Sequence, residues 1–260
     1  MDEATLRDDM IEGLEHALER PLSSPLVSAL RSVRREAFVE HAPYQNRSDV
    51  VCGTRVLAPA TVARLIECLD PEPNDDVLVV GVGVGYTAGV LAEIVGERNV
   101  HAIDIDRTLV YRARENLDRA GYSGVLVDRA DGARGFSAYA PYDRILLEAA
   151  VVEPPRSLLE QLASGGRLVM PQGRTDQQLV AIETDGPPDE SDLQRSTSDD
   201  YAIVETGGPA RFRPMLVDGE QASGPIRNRT HREDAEFAQR GYFAKHGWEH
   251  EWIDWEETLR

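Results

Sequence analysis

Three glycines at alternate positions, in Gly81-Val82-Gly83-Val84-Gly85-Tyr86, directly follow a short apolar run and precede a helical pattern. Glycine there lets the backbone approach a ligand closely, and the start of the helix offers unsatisfied N–H groups to an anion. A glycine triplet alone also occurs in ordinary strand-to-helix turns. The spacing is GxGxG, and Tyr86 stands where the dinucleotide fingerprint needs a third spaced glycine. That favours S-adenosyl-L-methionine, with its carboxylate and amine, over a pyrophosphate.

Two carboxylates extend the pattern. Asp104 closes the next apolar run, followed by Ile105, at the distance where an acid can accept both ribose hydroxyls. Asp131-Gly132 follows the third run, where a carboxylate can face an adenine amino group. Either acid alone could be a helix cap or a solvated loop residue. Together they mark the carboxyl ends of three neighbouring strands, where open α/β sheets bind ligands. The candidate cofactor residues are Gly81, Gly83, Gly85, Tyr86, Thr87, Asp104, Ile105, Asp131, Gly132 and, at the end of a fourth run, Glu148.

The elements needed to position these residues are legible as alternating strands and helices. Strands are expected at 77–80, 100–104, 124–128, 143–149 and 166–171, with helices at 87–95, 107–120 and 155–162 between them. This alternation gives a mostly parallel sheet covered on both faces. Segments 178–184 and 201–206 read as a closing antiparallel pair, joined by the acidic loop 185–200. Upstream, amphipathic helices are expected at 4–18, from Ser23-Ser24-Pro25 onward, and at 61–69, with 41–58 as loop. The domain plan is N-terminal helices over 1–40, a cofactor-binding domain over 41–217, and an acidic extension over 218–260. The extension carries all three tryptophans, enough apolar surface to expect packing against the domain, with a dimer contact or partial covering of the cleft as alternatives.

Bulk properties narrow the function classes. The net charge is −18, and a single lysine, Lys245, stands among 28 basic residues, the rest arginine. Acids are scattered rather than gathered in a tail and lysine is almost absent, which points to adaptation to high salt, with an ordinary acidic protein from an Arg-rich genome as the alternative. Non-specific nucleic-acid binding, which needs clustered basic groups, is disfavoured, so no nucleic-acid partner is expected. No apolar run approaches membrane-spanning length, and the first residues are polar and acidic, so a cytoplasmic protein without a membrane partner is expected. Cys52, Cys68 and six histidines show no ligand spacing, so no metal is expected, and both cysteines read as buried thiols. A monomer or homodimer fits equally well.

At this point the chain resembles the protein-L-isoaspartate O-methyltransferase family. The likeness lies in LRSVRREAFVE (30–40), LAPATVARLIECL (57–69), VLVVGVGVGYTAGVLAEIVG (77–96), APYDRILLEAA (140–150), LLEQLASGGRLVMPQG (158–173) and FRPM (212–215). The resemblance implies a Rossmann-like class I methyltransferase fold and methyl transfer from S-adenosyl-L-methionine to the carboxylate of an isoaspartyl residue in a damaged protein. Such an acceptor, with a reference pKa of about 4, is already ionised at neutral pH, so no Ser-His-Asp or Cys-His arrangement is needed.

Two positions depart from the family pattern. Its substrate loop reads Gly-x-Thr-x-Ser-x-Pro, whereas this chain has Gly53-Thr54-Arg55-Val56-Leu57-Ala58-Pro59, with Leu57 at the serine position. Thr54 and Arg55 are therefore the candidate catalytic residues, the latter as a bidentate clamp on a carboxylate. Val79 replaces the family's acid near the methionine end of the cofactor, and Glu148 is the candidate substitute. Leu57 leaves open a methyltransferase of another acceptor. Leu57 and Val79 together leave open a cofactor-binding protein without turnover.

Overall fold

The computed structural model describes residues 3–184 and 201–216; the expected loop 185–200 and the extension 218–260 lie outside these. Three helices lead the chain: α1 (Glu3–Leu18), α2 (Ser24–Ser32) and α3 (Pro59–Leu69). Between α2 and α3 runs a small hairpin, β1 (Asp49–Val51) and β2 (Thr54–Val56). The main sheet then begins with β3 (Val77–Val80), α4 (Tyr86–Val95), β4 (Val100–Asp104), α5 (Arg107–Ala120) and β5 (Leu126–Arg129). It continues through β6 (Tyr142–Leu147), α6 (Arg156–Leu159), β7 (Leu162–Gln172), β8 (Gln177–Glu183) and β9 (Ala202–Ala210).

The seven strands lie in the order β5-β4-β3-β6-β7-β8-β9. The first five are mutually parallel, and β8 and β9 are antiparallel additions. The chain runs outward from β3 through β4 to β5, then returns to β6 on the other side of β3. That reversal opens a crevice beyond the carboxyl ends of β3, β4 and β6. All four residues of β3 are buried. Val77 and Val79 join the apolar layer formed with α1 to α5, while Leu78 and Val80 join the opposite layer with Ile145, Leu147, Leu158 and Leu168. A strand covered on both faces has no polar side to show, which is why it reads as an unbroken apolar run.

The N-terminal helices are part of this core rather than an appendage. Met10, Ile11, Leu14, Leu26 and Leu30 are buried in the same layer as Leu65, Leu69 and Val79.

Some local expectations need correction. Residues 41–58 are not all loop, because Cys52 and Gly53 turn with φ of 52° and 74° and allow Val51 to pair with Thr54. Two consecutive positive φ values are what a tight hairpin turn requires. The same turn leaves Cys52 exposed instead of buried, while Cys68 is buried. The helix expected over 155–162 is a single turn, because Leu162 already pairs with Tyr142 and starts a strand of 11 residues. The third strand of the sheet starts two residues later than its expected 124, at Leu126.

Candidate functional site

A cleft of about 740 Å³ opens at the carboxyl ends of β3, β4 and β6. Gly81, Gly83, Asp104, Ile105, Gly132 and Glu148 line its inner wall. The hairpin residues Cys52 to Arg55 and Leu57 face them, with Arg213 to Leu216 closing a third side.

The glycine loop is shaped by its backbone. Gly81, Gly83 and Gly85 have φ of 86°, 55° and 93°, a region that L side chains rarely adopt. At Gly85 a Cβ would also lie 3.2 Å from Leu117 Cγ, so the turn sits directly on α5. Gly132 is glycine for lack of room, since a Cβ there would fall 2.4 Å from Val80 Cγ1.

Asp104 is 8% exposed and ties the loop to the sheet. Its Oδ2 accepts from the Gly83 N–H at 3.0 Å and its Oδ1 from the Asp106 N–H at 2.9 Å. Burial raises its pKa, opposed by these backbone hydrogen bonds. A carboxylate has roughly four acceptor positions, so capacity remains on the cleft side.

Glu148 follows β6, with its N–H bonded to the Val80 carbonyl at 2.9 Å, beside Gly81. Its side chain is half-buried at the cleft wall, with Oε1 buried and lacking any hydrogen-bond partner. Desolvation, with the nearby Asp104 adding to it, pushes its pKa from 4.5 to about 8, against a hydrogen bond from Thr87. A buried carboxylate oxygen without a partner is costly unless a ligand completes it.

Other expected residues take supporting places. Tyr86 is buried with its ring 5.6 Å from that of Phe38, and Thr87 lies beneath Glu148; neither lines the cleft. Gly85 likewise packs inward on Leu117 rather than lining it. Asp131 caps the following turn, accepting from the Ala133 N–H at 2.9 Å, and its carboxylate is outside the cleft lining. The turn after β5 needs a cap for its free N–H groups, and the neighbouring Gly132 reaches the cleft instead. Val79 is fully enclosed in the core.

On the facing wall, Thr54 is half-buried and Arg55 exposed, both lining the cleft. Arg55 donates from Nη1 to the Arg211 carbonyl at 3.1 Å, and Arg213 from Nη1 to the Gly53 carbonyl at 3.0 Å. Leu57 is 8% exposed, and its carbonyl accepts from Arg35. The segment from Phe212 to Met215 is fixed by main-chain bonds. Ala150 N–H donates to Arg213 at 2.8 Å, and Met215 N–H donates back to Ala150 at 2.9 Å. The buried Gln177 amide reads Phe212 at both its N–H (2.6 Å) and its carbonyl (3.0 Å).

Two supports escaped the sequence reading. Arg35, in a strongly charged stretch, gave no signal that it is buried. The hairpin at 49–56 carried one, β-branched residues flanking a Cys-Gly pair, but cysteine is not a usual turn residue.

Comparison with known proteins bears on this arrangement. The family model described as protein-L-isoaspartate(D-aspartate) O-methyltransferase matches residues 8–197. A protein-L-isoaspartate O-methyltransferase 2 of Archaeoglobus fulgidus is 39% identical over 225 residues, covering 84% of this chain and all of the relative. A protein-L-isoaspartate O-methyltransferase of Aeropyrum pernix is 41% identical over 168 residues; the match covers 62% of this chain and 64% of that one, under two thirds of its length. Among solved structures, a protein-L-isoaspartate O-methyltransferase superposes with a TM-score of 0.66 at 21% identity, over 88% of this chain and 69% of its own. At these identities the structural likeness speaks for the fold. The sequence matches, spanning hairpin, glycine loop and strand ends alike, go further: the chain belongs to the protein-L-isoaspartate(D-aspartate) O-methyltransferase family.

Proposed function

We propose that the protein transfers a methyl group from S-adenosyl-L-methionine to the side-chain carboxylate of isoaspartyl residues in damaged proteins. The observation that carries this is the cleft itself: Asp104 and Glu148, whose Oε1 has no partner, on one wall, the hairpin of residues 49–56 on the other.

The residues fit the cofactor by their chemistry. Asp104 offers free acceptor positions for ribose hydroxyls. Gly81, Gly83 and Gly132, with Ile105, leave space beside the strand ends. Glu148 supplies a buried carboxyl for the ammonium of the methionine portion, the role that Val79 leaves vacant. Gly85, Tyr86, Thr87 and Asp131 act from behind the cleft wall, holding the loop and turns in place.

When bound, the cofactor supplies an electrophilic methyl on a sulfonium sulfur. The chain's task is to bring an ionised carboxylate in line and to exclude its water. Arg55 clamps that carboxylate through its guanidinium. Thr54 offers a hydroxyl donor, and Leu57 with Met215 displaces water from the approach. No proton has to be removed from the acceptor, so a side-chain base is unnecessary.

Leu57 favours a second reading, methylation of a different carboxylate by the same machinery, because its side chain donates no hydrogen bond at the family's serine position. Labelled methyl transfer to an isoaspartyl peptide, against its aspartyl twin, decides between them. Selective labelling of the isoaspartyl form is expected. Tight S-adenosyl-L-methionine binding with no labelling of either peptide would overturn the repair reading. The charge of −18 supports a working environment of high salt, so the assay belongs in molar as well as dilute salt.

A further inference from the structure

Beside the cleft, and sharing Arg55 and Leu57 with it, lies a second groove of about 440 Å³. Three arginines, Arg55, Arg64 and Arg211, line it against one carboxylate, Asp176. In a chain of net charge −18 this is an unexpected place to gather positive charge.

Elsewhere on the domain arginines pair with carboxylates, as Arg31 does with Asp8 at 3.0 Å and Arg167 with Glu183 at 2.8 Å. Among the described residues, Arg55, Arg64, Arg211 and the neighbouring Arg213 have no carboxylate within ion-pair distance. Backbone carbonyls hold three of them instead. Arg64 Nη2 donates to Pro209 at 3.0 Å, as Arg55 does to Arg211 at 3.1 Å and Arg213 to Gly53 at 3.0 Å. Each bond uses one of five guanidinium donors and leaves a planar fork available. A guanidinium already held by the main chain loses less freedom when it captures a carboxylate.

We propose that this groove binds acidic side chains flanking the residue to be methylated, so that the preferred acceptors are segments rich in aspartate and glutamate. The inference rests on the isoaspartyl reading above and adds a substrate class to it. Position supports it: Arg55 and Leu57 belong to both cavities, so a peptide with one carboxylate in the cleft can lay its neighbours along the groove. Charge complementarity at such a site governs which partners are accepted more than how tightly they bind.

The test uses three isoaspartyl peptides of equal length with acidic, amide or lysine flanks. Binding to the S-adenosylhomocysteine-loaded full chain and kcat/KM for methyl transfer are both measured. Binding and kcat/KM are expected to be about tenfold better for acidic than for amide flanks, and worse again for lysine. In the Arg64→Gln/Arg211→Gln double variant the preference should shrink to within about twofold, with the amide-flanked peptide unchanged, which also reports an intact fold. Equal or better binding of the amide- or lysine-flanked peptides by the unmodified protein would overturn the proposal, as would a preference that survives both substitutions. Preferred binding of acidic peptides without transfer would count against the isoaspartyl reading and leave the groove standing.

Discussion

Arg35, 1% exposed, donates from Nη2 to the Leu57 carbonyl over 2.7 Å, and the same guanidinium lies 4.2 Å from the centre of the Tyr86 ring. One buried cation thus joins the acceptor loop to the start of α4, behind the glycine loop. Removing it leaves a buried carbonyl unsatisfied and a void over the tyrosine. Arg35→Met is expected to lower stability by about 1–3 kcal/mol. Because Leu57 loses its anchor while Asp104 and Glu148 keep theirs, acceptor kcat/KM should fall more than cofactor affinity. Thermal unfolding, cofactor calorimetry and transfer kinetics check the three parts, and a change confined to cofactor affinity would contradict the assigned role.

Glu148 gives a pH signature. Its pKa in the fold is about 8 against an ordinary 4.5. An acid shifted upward stabilises the fold below its unfolded pKa, and that contribution is lost as pH rises toward the folded value. Without ligand, stability should therefore decline between about pH 4.5 and 8. Glu148→Gln should remove this decline and raise the Tm at pH 9 while leaving it little changed at pH 4. Cofactor affinity should run the other way, rising with pH through this range in the native protein and falling about tenfold or more in the variant. A pH-independent affinity would exclude Glu148 as the ammonium partner.

Gly132 tests the cleft wall by volume alone. A methyl group in Gly132→Ala would meet Val80 Cγ1 at 2.4 Å and the Met215 sulfur at 3.5 Å. Overpacking of this kind costs about 1–3 kcal/mol. It should also displace the Arg213 to Leu216 wall, weakening cofactor and acceptor binding together. Chemical denaturation with binding calorimetry would show both, and an unaffected variant would mean that the wall yields freely.

Leu57→Ser restores a hydroxyl where the family carries one. Isoaspartyl transfer is expected to rise, with stability lowered by about 1–3 kcal/mol through lost burial of the side chain. Transfer that stays unchanged would make the side chain at this position irrelevant to the reaction.

Much of this was legible in the chain because buried parallel strands leave a strong signature. Val77 to Val80 is an unbroken apolar run and Val100 to Ile103 a mostly apolar one, the signature of doubly covered strands, and the glycines after β3 mark where the cleft opens. Asp104 was legible because its place at a strand end is set by local order. Asp131 was less so: the sequence places it at a strand end, whereas its capping bond to the Ala133 N–H depends on φ and ψ over two residues. The hairpin was hidden because Cys52 adopts a left-handed conformation usually left to asparagine or glycine. Arg35 was hidden for a different reason. Its burial depends on Tyr86 and Leu57, 51 and 22 positions away, and nothing local distinguishes it from Arg31 or Arg34.

A carboxylate held by two main-chain amides cannot swing out to meet its ligand. Asp104 is held in that way, so on the proposed reading a ribose diol would arrive in the orientation the loop has already set. Discrimination between a ribose and its deoxy counterpart would then be a property of the empty protein, present before anything binds, and an analogue lacking one hydroxyl would gain nothing from a readjusted side chain.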